Sequence, residues 1–467
     1  MITSQNLAAL MADLNKGTVG YQTPLVPAGG SQTANNLSPL VPQQLSQTLS
    51  VATSSMSDLK LWPMLNKVAA MNTVVEYNRV LSHGAEHSPF IAEGGIGALN
   101  RATYQKVAVQ IKYLAERREI TDVASFVSLS GPSTDALALE TTRGTEALLR
   151  RVEKELFYGD SSVNPLAWDG IIKQIKDAGN VADLRGKAVT PNYLQEVLGA
   201  LYSAPFYGMA SHILVTPRVL SELIKQTVTF GRHDQVNFSN GMLGFGSNSI
   251  TISAPYGMIP VVACPFLERH DRIAPAAGVS GVFDGSVVTP TISVAPAAAS
   301  NASSQFVAAD EGAYRYRVVP VGPAGVGVAV DTAAVSVAAG ESVSFTIAQS
   351  DSSATVSHYR IYRSAPDAAN ANGALLVREV ANGGATTVVV DHNADLPGAS
   401  PILLINSGAD HMAYYQMLSL IRRPLAQINS SYPFLLMMFG APAVMLPSKM
   451  WVIKNAGVNP AQGLPSA

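Results

Sequence analysis

The chain has 467 residues, enough for two or three domains, and is 47% hydrophobic but only 14% charged, where an ordinary soluble domain carries about a quarter charged residues. A net charge of −2 leaves no electrostatic footprint for gripping nucleic acid. Surface charge keeps a monomer dispersed, so the deficit fits either a surface covered by copies and partners or a neutral β protein rich in Ser, Thr, Ala and Gly.

Cys264 is the sole cysteine, which excludes an intrachain disulfide and fits a reducing compartment. The opening MITSQNLAALMADLNKG lacks a basic start and a continuous apolar core, so it does not read as a secretory signal. Residues 434–446 form the most apolar run, too short for a bilayer and interrupted by Pro442. The expectation is a chain that is soluble and intracellular when made, with no membrane partner.

In chain order, residues 1–55 are polar and almost uncharged, with side-chain charge only at Asp13 and Lys16. They cannot bury a core and read as an extended arm, free or crossing onto a neighbour. Residues 73–81 (TVVEYNRVL) and 102–114 (ATYQKVAVQIKYL) read as strands. Between them, 82–101 (SHGAEHSPFIAEGGIGALNR) is Gly-rich and has too few large apolar residues for a core of its own. A two-stranded arm with such a tip is unstable alone and implies a neighbour to lie on.

Residues 135–158 (DALALETTRGTEALLRRVEKELFY) carry the clearest periodicity. Leu137, Thr141, Gly144, Leu148, Val152 and Leu156 fall on one helical face. Glu140, Arg143, Glu146, Arg150, Glu153 and Lys154 read as the opposite, solvated surface, with Glu146–Arg150 in the favourable i,i+4 order. Gly131-Pro132-Ser133-Thr134 supplies a capping turn before the helix, and Gly159-Asp160 a stop after it.

Residues 168–265 read as compact α/β: helices over 190–202 and 217–226, each led by a proline, a strand over 212–216, and two strands within 250–264 around Pro255-Tyr256-Gly257. Residues 230–248 read as a Gly/Asn-rich loop. Composition then shifts to Ala/Ser/Val/Thr. Short strands recur at 314–319, 333–337, 342–347, 358–362, 375–380 and 386–390, the pattern of an immunoglobulin or fibronectin type III sandwich. Residues 410–421 (DHMAYYQMLSLI) read as a helix, and 432–453 as strands broken by prolines.

Enzymatic constellations are hard to assemble. His83, Glu86 and His87 match an H-x-x-E-H spacing, but in a Gly-rich loop rather than on one helical face. The pairs His270–Asp271 and His233–Asp234 lack a convergent third ligand. Gly278-Val279-Ser280-Gly281 lacks the context of a nucleophile elbow, Gly322–Gly327 reads as a β-turn rather than a phosphate loop, and Gly241–Gly246 has no helix after it. Cys264 in an apolar strand reads as structural, and Met437 and Met438 as core. The reading is a non-enzymatic protein with no catalytic, metal or cofactor residue.

Taken together, the layout resembles the major capsid proteins of tailed bacteriophages, which share the Johnson-type fold. The matching stretches are 73–114 for the extended loop, 135–158 for the spine helix, 205–226 (PFYGMASHILVTPRVLSELIKQ) and 250–265 for the axial region, and 410–453 for the return through the peripheral region. The resemblance implies an α+β capsid fold: an N-terminal arm over 1–55, a core over 56–284 with its axial region at about 165–284, an inserted immunoglobulin-like sandwich over 285–405, and a return with tail over 406–467. It implies hexamers and pentamers of an icosahedral shell in the virion, assembled in the host cytoplasm. Such a shell encloses double-stranded DNA without sequence-specific binding, with decoration, portal and scaffolding proteins as further partners. Candidate assembly contacts are Arg79, Glu86, Glu93 and Arg101 on the loop, and Arg143, Arg150 and Arg151 on the helix.

One branch of the family joins a loop lysine to a neighbour's asparagine. Residues 83–101 contain no lysine, so assembly should be non-covalent. The nearly uncharged 1–55 also do not match the charged, cleaved scaffolding segment of many relatives. Three alternatives stand beside this reading. An encapsulin compartment shares the fold, and a phage tail or adhesion protein could use the sandwich. A hydrolase would need a carboxylate pair that Asp169, Asp177, Asp183, Glu196, Glu222 and Asp234 do not suggest.

Overall fold

The computed structural model describes residues 56–457 apart from 89, 98, 127–135, 231–236, 240–241, 245–249, 270, 276–286, 288, 324, 350–355 and 428. The polar arm, the capping turn at 131–134, the His233–Asp234 pair, His270 and the 278–281 motif lie outside the described residues.

A short helix, Leu61–Met64, leads into β1 (Asn66–Ala69) and then a hairpin of β2 (Val74–Ser82) and β3 (Thr103–Gln110). β4 (Lys112–Thr121) returns to the body, and the spine helix runs over Ala136–Tyr158. The apolar spacing foresaw that helix, and Gly144, Leu148, Val152 and Leu156 are all buried. Gly144 permits close packing on the sheet behind, since a Cβ there would sit 2.6 Å from Leu436 Cδ1.

Next come a helix, Ile171–Asp177, β5 (Val181–Asp183), a helix over Pro191–Tyr202 and β6 (His212–Val215). Thr190 caps the second of these helices by accepting from Tyr193 N, and Pro191 supplies a first-turn residue that needs no amide partner. A helix over Pro217–Phe230, a small hairpin of β7 (Asn237–Ser239) and β8 (Met242–Gly244), then β9 (Ile250–Ala254) and β10 (Gly257–Ala263) complete this part.

The Ala/Ser/Val-rich stretch folds as β11 (Thr291–Ser300), β12 (Gly312–Tyr314), β13 (Tyr316–Val321), β14 (Val330–Asp331), β15 (Val335–Val337), β16 (Glu341–Ala348), β17 (His358–Arg363), β18 (Leu375–Ala381) and β19 (Thr386–Asp391). One sheet has the order β11-β16-β19 and another β14-β13-β17-β18. Alternate side chains of both, among them Tyr316, Val318, Phe345, Ile347, Tyr359 and Ile361, enclose one apolar core.

The chain closes with β20 (Ser400–Ile405), β21 (Met412–Pro424), β22 (Ser431–Val444) and β23 (Trp451–Ala456). β20 and β23 enter a six-stranded sheet, β5-β23-β20-β6-β10-β9, so the segment between β10 and β20 leaves and rejoins one sheet. β21 and β22 form the middle of a second sheet, β1-β21-β22-β4, on which the spine helix lies. Here the helix expected at 410–421 is corrected: residues 412–421 belong to β21, which pairs with β22 on one side and, over 413–416, with β1 on the other. Tyr414 packs edge-on against Trp62 and Trp168 at ring separations of 4.9 and 5.9 Å. Its hydroxyl end fits only because residue 440 is glycine, where a Cβ would stand 2.4 Å from the oxygen.

Candidate assembly surfaces

Three features are built to present surface rather than to enclose chemistry. The first is the β2–β3 hairpin. Its base is secured, because Val75, Tyr77 and Val109 pack with Ile111 and Tyr415, and the Tyr77 hydroxyl donates to Val444 O at 3.2 Å. Beyond the base the burial pattern of β2 ends in three exposed residues, and Glu76 forms an ion pair with Lys106 across the ribbon. Beyond Tyr77 the five residues 78–82, at about 3.3 Å each, carry the strand roughly 16 Å further. The tip displays Phe90 (88% exposed), Ile91 (59%), Ile96 (97%) and Leu99 (82%). Asn100 closes its neck, accepting from Ala85 N at 2.9 Å and donating to Ala85 O at 3.0 Å. His83, Glu86 and His87 lie on this exposed, non-helical loop, where His87 Nδ1 meets Ala85 O at 3.0 Å.

The second feature is the spine helix with its charged network. Arg118 on β4 donates to Glu116 Oε1 through Nε at 2.8 Å and Nη2 at 2.5 Å, and to Glu140 of the helix through Nη1 at 2.7 Å. Arg151 approaches the same Glu116 at 3.4 Å. Arg143 pairs with Glu146 at 2.9 Å, one turn along. Glu153, read from the helical wheel as surface, is instead fully buried, and this is a correction. Its Oε1 accepts from Lys60 N and Leu61 N at 2.9 and 2.7 Å, and its Oε2 from Trp62 N at 2.7 Å. It thereby satisfies the first amides of the short helix and fixes the point where the described chain enters the body. Cys264 lies nearby, buried, its thiol pushed up to about 12 by burial and then by Glu153, as befits an inert structural thiol.

The third feature is how the β11–β19 unit is held. Arg269, in the strap leading to it, donates to Asp271 at 3.0 and 2.7 Å and to Glu379 of β18 at 2.5 Å. Arg360 of β17 reaches Glu379 and Asp271, each at 3.1 Å. Arg269 also stacks over the Tyr158 ring at the end of the spine helix, 5.2 Å from its centre. Burial works against these charges, yet the partners win: the Arg269 guanidinium is held above its usual range, and Glu379 below the ordinary carboxylate value. At a second point Arg185 donates to Gln305 O, Gln305 Oε1 and Asn393 O at 2.5–3.0 Å.

Of the candidates named from sequence, Glu86, Glu93 and Arg101 stand exposed on the hairpin, whereas Arg79 is half-buried and donates to Gln105 across the ribbon at 2.7 Å. Arg151 is exposed on the spine helix, whereas Arg143 and Arg150 are half-buried. The sequence reading missed Glu116, Arg118, Arg269, Arg360 and Glu379 and considered Asp271 only beside His270; each of these side chains has a long-range partner in addition to any near neighbour. Among the described residues no group of three or more His, Cys, Asp or Glu could hold a metal, and no helix is long and apolar enough to cross a membrane.

The hairpin thus projects apolar side chains from a body braced by ion pairs. Comparison with known proteins supplies a likeness. Residues 101–292 match the profile of the SU10 major capsid protein family. The major capsid proteins of Staphylococcus phages S25-3 and K are each 23% identical, over 88% of this chain and 89% of theirs. A putative major capsid protein of Enterococcus phage phiEF24C is 23% identical over 97% of this chain and 96% of its own. Among solved structures, the capsid of a native GTA particle aligns over 92% of this chain and 100% of its own at 10% identity, with a TM-score of 0.48. The chain is thus similar, over most of its length, to major capsid proteins of bacteriophages.

Proposed function

We propose that copies of this chain associate as hexamers and pentamers and close an icosahedral shell around the viral double-stranded DNA. The projecting hairpin carries this reading: a two-stranded ribbon is marginal in water by itself, and four large apolar side chains at its tip call for burial on another molecule. Closure needs a heterologous contact, one patch meeting a different patch on the next copy with a rotation matched to the lattice. The loop lies over the adjacent subunit near its spine helix, with Arg79, Glu86, Glu93 and Arg101 facing Arg143, Arg150, Arg151 and their neighbouring acids. With no lysine between 83 and 101 the contact is non-covalent, and a net charge of −2 suits DNA held by confinement.

The β11–β19 unit is an inserted, immunoglobulin-like sandwich on the particle exterior. Its support is that the chain leaves and rejoins one sheet around it, and that it has a core of its own. Portal, scaffolding and decoration proteins are further partners of such a shell. The test is deletion of residues 84–97. The shortened chain should keep the circular dichroism and melting profile of a folded subunit but no longer sediment as shells. Unchanged, equally stable shells would remove the loop as the assembly clamp.

A further inference from the structure

A strand at the edge of a sheet exposes a row of backbone amides and carbonyls that another chain can take up, and proteins blunt such edges with bulges, prolines, charges or covering segments. Three edges of the sandwich are blunted in these ways. β11 is broken by two register shifts and carries Pro296. β18 is covered where Leu376 N donates to Arg272 O at 2.7 Å and Leu375 bridges Ile273. β14 is only two residues long. β19, at the end of the order β11-β16-β19, has none of these devices. Its sequence, Thr386-Thr387-Val388-Val389-Val390-Asp391, is β-branched up to the final aspartate and holds no proline, glycine, lysine or arginine. Its register with β16 is unbroken, and among the described residues no strand pairs with its second edge.

The face beside this edge is unguarded too. The strap meets the sandwich through its other sheet, where Tyr362 of β17 donates to Asp271 O at 2.9 Å. The outward rows of β11-β16-β19 stay open. Two of them, Thr291–Ala348–Thr386 and Val294–Thr346–Val388, are neutral throughout, with Val294 55% and Val388 63% exposed. A solvated surface ordinarily mixes charges of both signs. A straight, uncharged, β-branched edge is a liability on a protein that stays single, and useful on one whose copies stand side by side.

We propose that β19 pairs antiparallel with β19 of a neighbouring copy about a local two-fold axis, so that one continuous sheet joins two sandwiches. This rests on the self-assembly reading and adds to it a contact between the inserted units. A second copy is the occupant because the edge is complementary to itself. Opposed residues of an antiparallel pair share a face, and the register that overlaps the two strands most fully sets Val388 against Val388 and Thr386 against Val390. The Val294–Thr346–Val388 row then continues through the same three residues of the neighbour, with no charge to repel it. A pairing of this length buries far less than the roughly 1,200 Å² of a stable free-standing complex, so subunits in solution stay apart. A shell that holds two sandwiches side by side supplies the effective concentration that the weak contact needs.

The test is disulfide trapping in particles of the full-length V388C chain. Cys264, the sole native cysteine, is buried, so a linked dimer reports position 388. Under a mild oxidant, V388C shells should yield at least about fivefold more linked dimer than V294C shells, because only opposed β-carbons come within disulfide distance. V294C is the control because it places its cysteine on the same face at the bulged edge. Particles assembled from V388K and V388E chains together should melt higher than particles of V388K alone, because unlike charges then meet across the axis. Well-formed V388C shells that stay unlinked, as when residues 1–55 or another protein take the edge, would overturn the pairing and leave the shell reading standing. Equal linking of V388C and V294C would overturn it as well. Failure of the wild-type chain to form particles at all would overturn both.

Discussion

Glu153 shows how one residue can decide where a chain enters its fold. A buried carboxylate is stabilised only by donors, and here three backbone amides supply them within 2.9 Å. Glu153→Ala should lower the subunit's unfolding free energy by roughly 2–4 kcal/mol, since it orphans those amides and leaves a void. Glu153→Gln, which retains one acceptor oxygen, should cost less. Denaturant unfolding of the unassembled subunit measures both, and equal stability of all three proteins would refute the role. The sequence held a clue that the wheel reading passed over. Leu149, Glu153 and Phe157 are spaced by four and form a second buried stripe beside the one that was recognised. The Arg269–Glu379 and Arg118–Glu140 pairs had no such clue, because their partners lie 110 and 22 positions apart. The loop charges Glu86 and Glu93 were legible because a Gly-rich stretch with no core of its own had to be exposed.

At the scale of elements, periodicity served well where one face alone is buried. The spine helix, the Pro-led helices and the hairpin strands all have such a face. It failed at β21, where Met412, Ala413, Tyr414 and Tyr415 are buried in succession. A strand flanked by β1 and β22 and covered on both faces shows no alternation at that end, so its apolar run reads equally well as helix. Tertiary pairing, together with the glycine at 440 that admits Tyr414, settles the matter. Gly144 carries the complementary lesson, since helix propensity alone would favour alanine there. The spine sits so close to β22 that Gly144→Val should destabilise the subunit by about 1–3 kcal/mol through overpacking against Leu436 and Arg118. Thermal or denaturant melting would show this, and a gain in stability would mean that helix and sheet are looser than described.

For the whole molecule, the scarcity of charge, the projecting hairpin and the braced sandwich all fit the proposed assembly, in which neighbours cover the folded chain. Charge scarcity alone left a neutral β protein open. The hairpin geometry, with apolar side chains up to 97% exposed, and the near full-length similarity to phage capsid proteins support the proposal of a surface covered by copies. The residues that face one another across copies were not legible, because a single sequence encodes both partners of a heterologous contact without marking which patch meets which. Electron microscopy of the purified full-length chain tests this most directly. Closed shells of uniform diameter, with six- and five-fold capsomers and the sandwich on the outer surface, are the expected result; a monodisperse monomer whose hairpin folds back on its own body, or open tubes in place of shells, would contradict it.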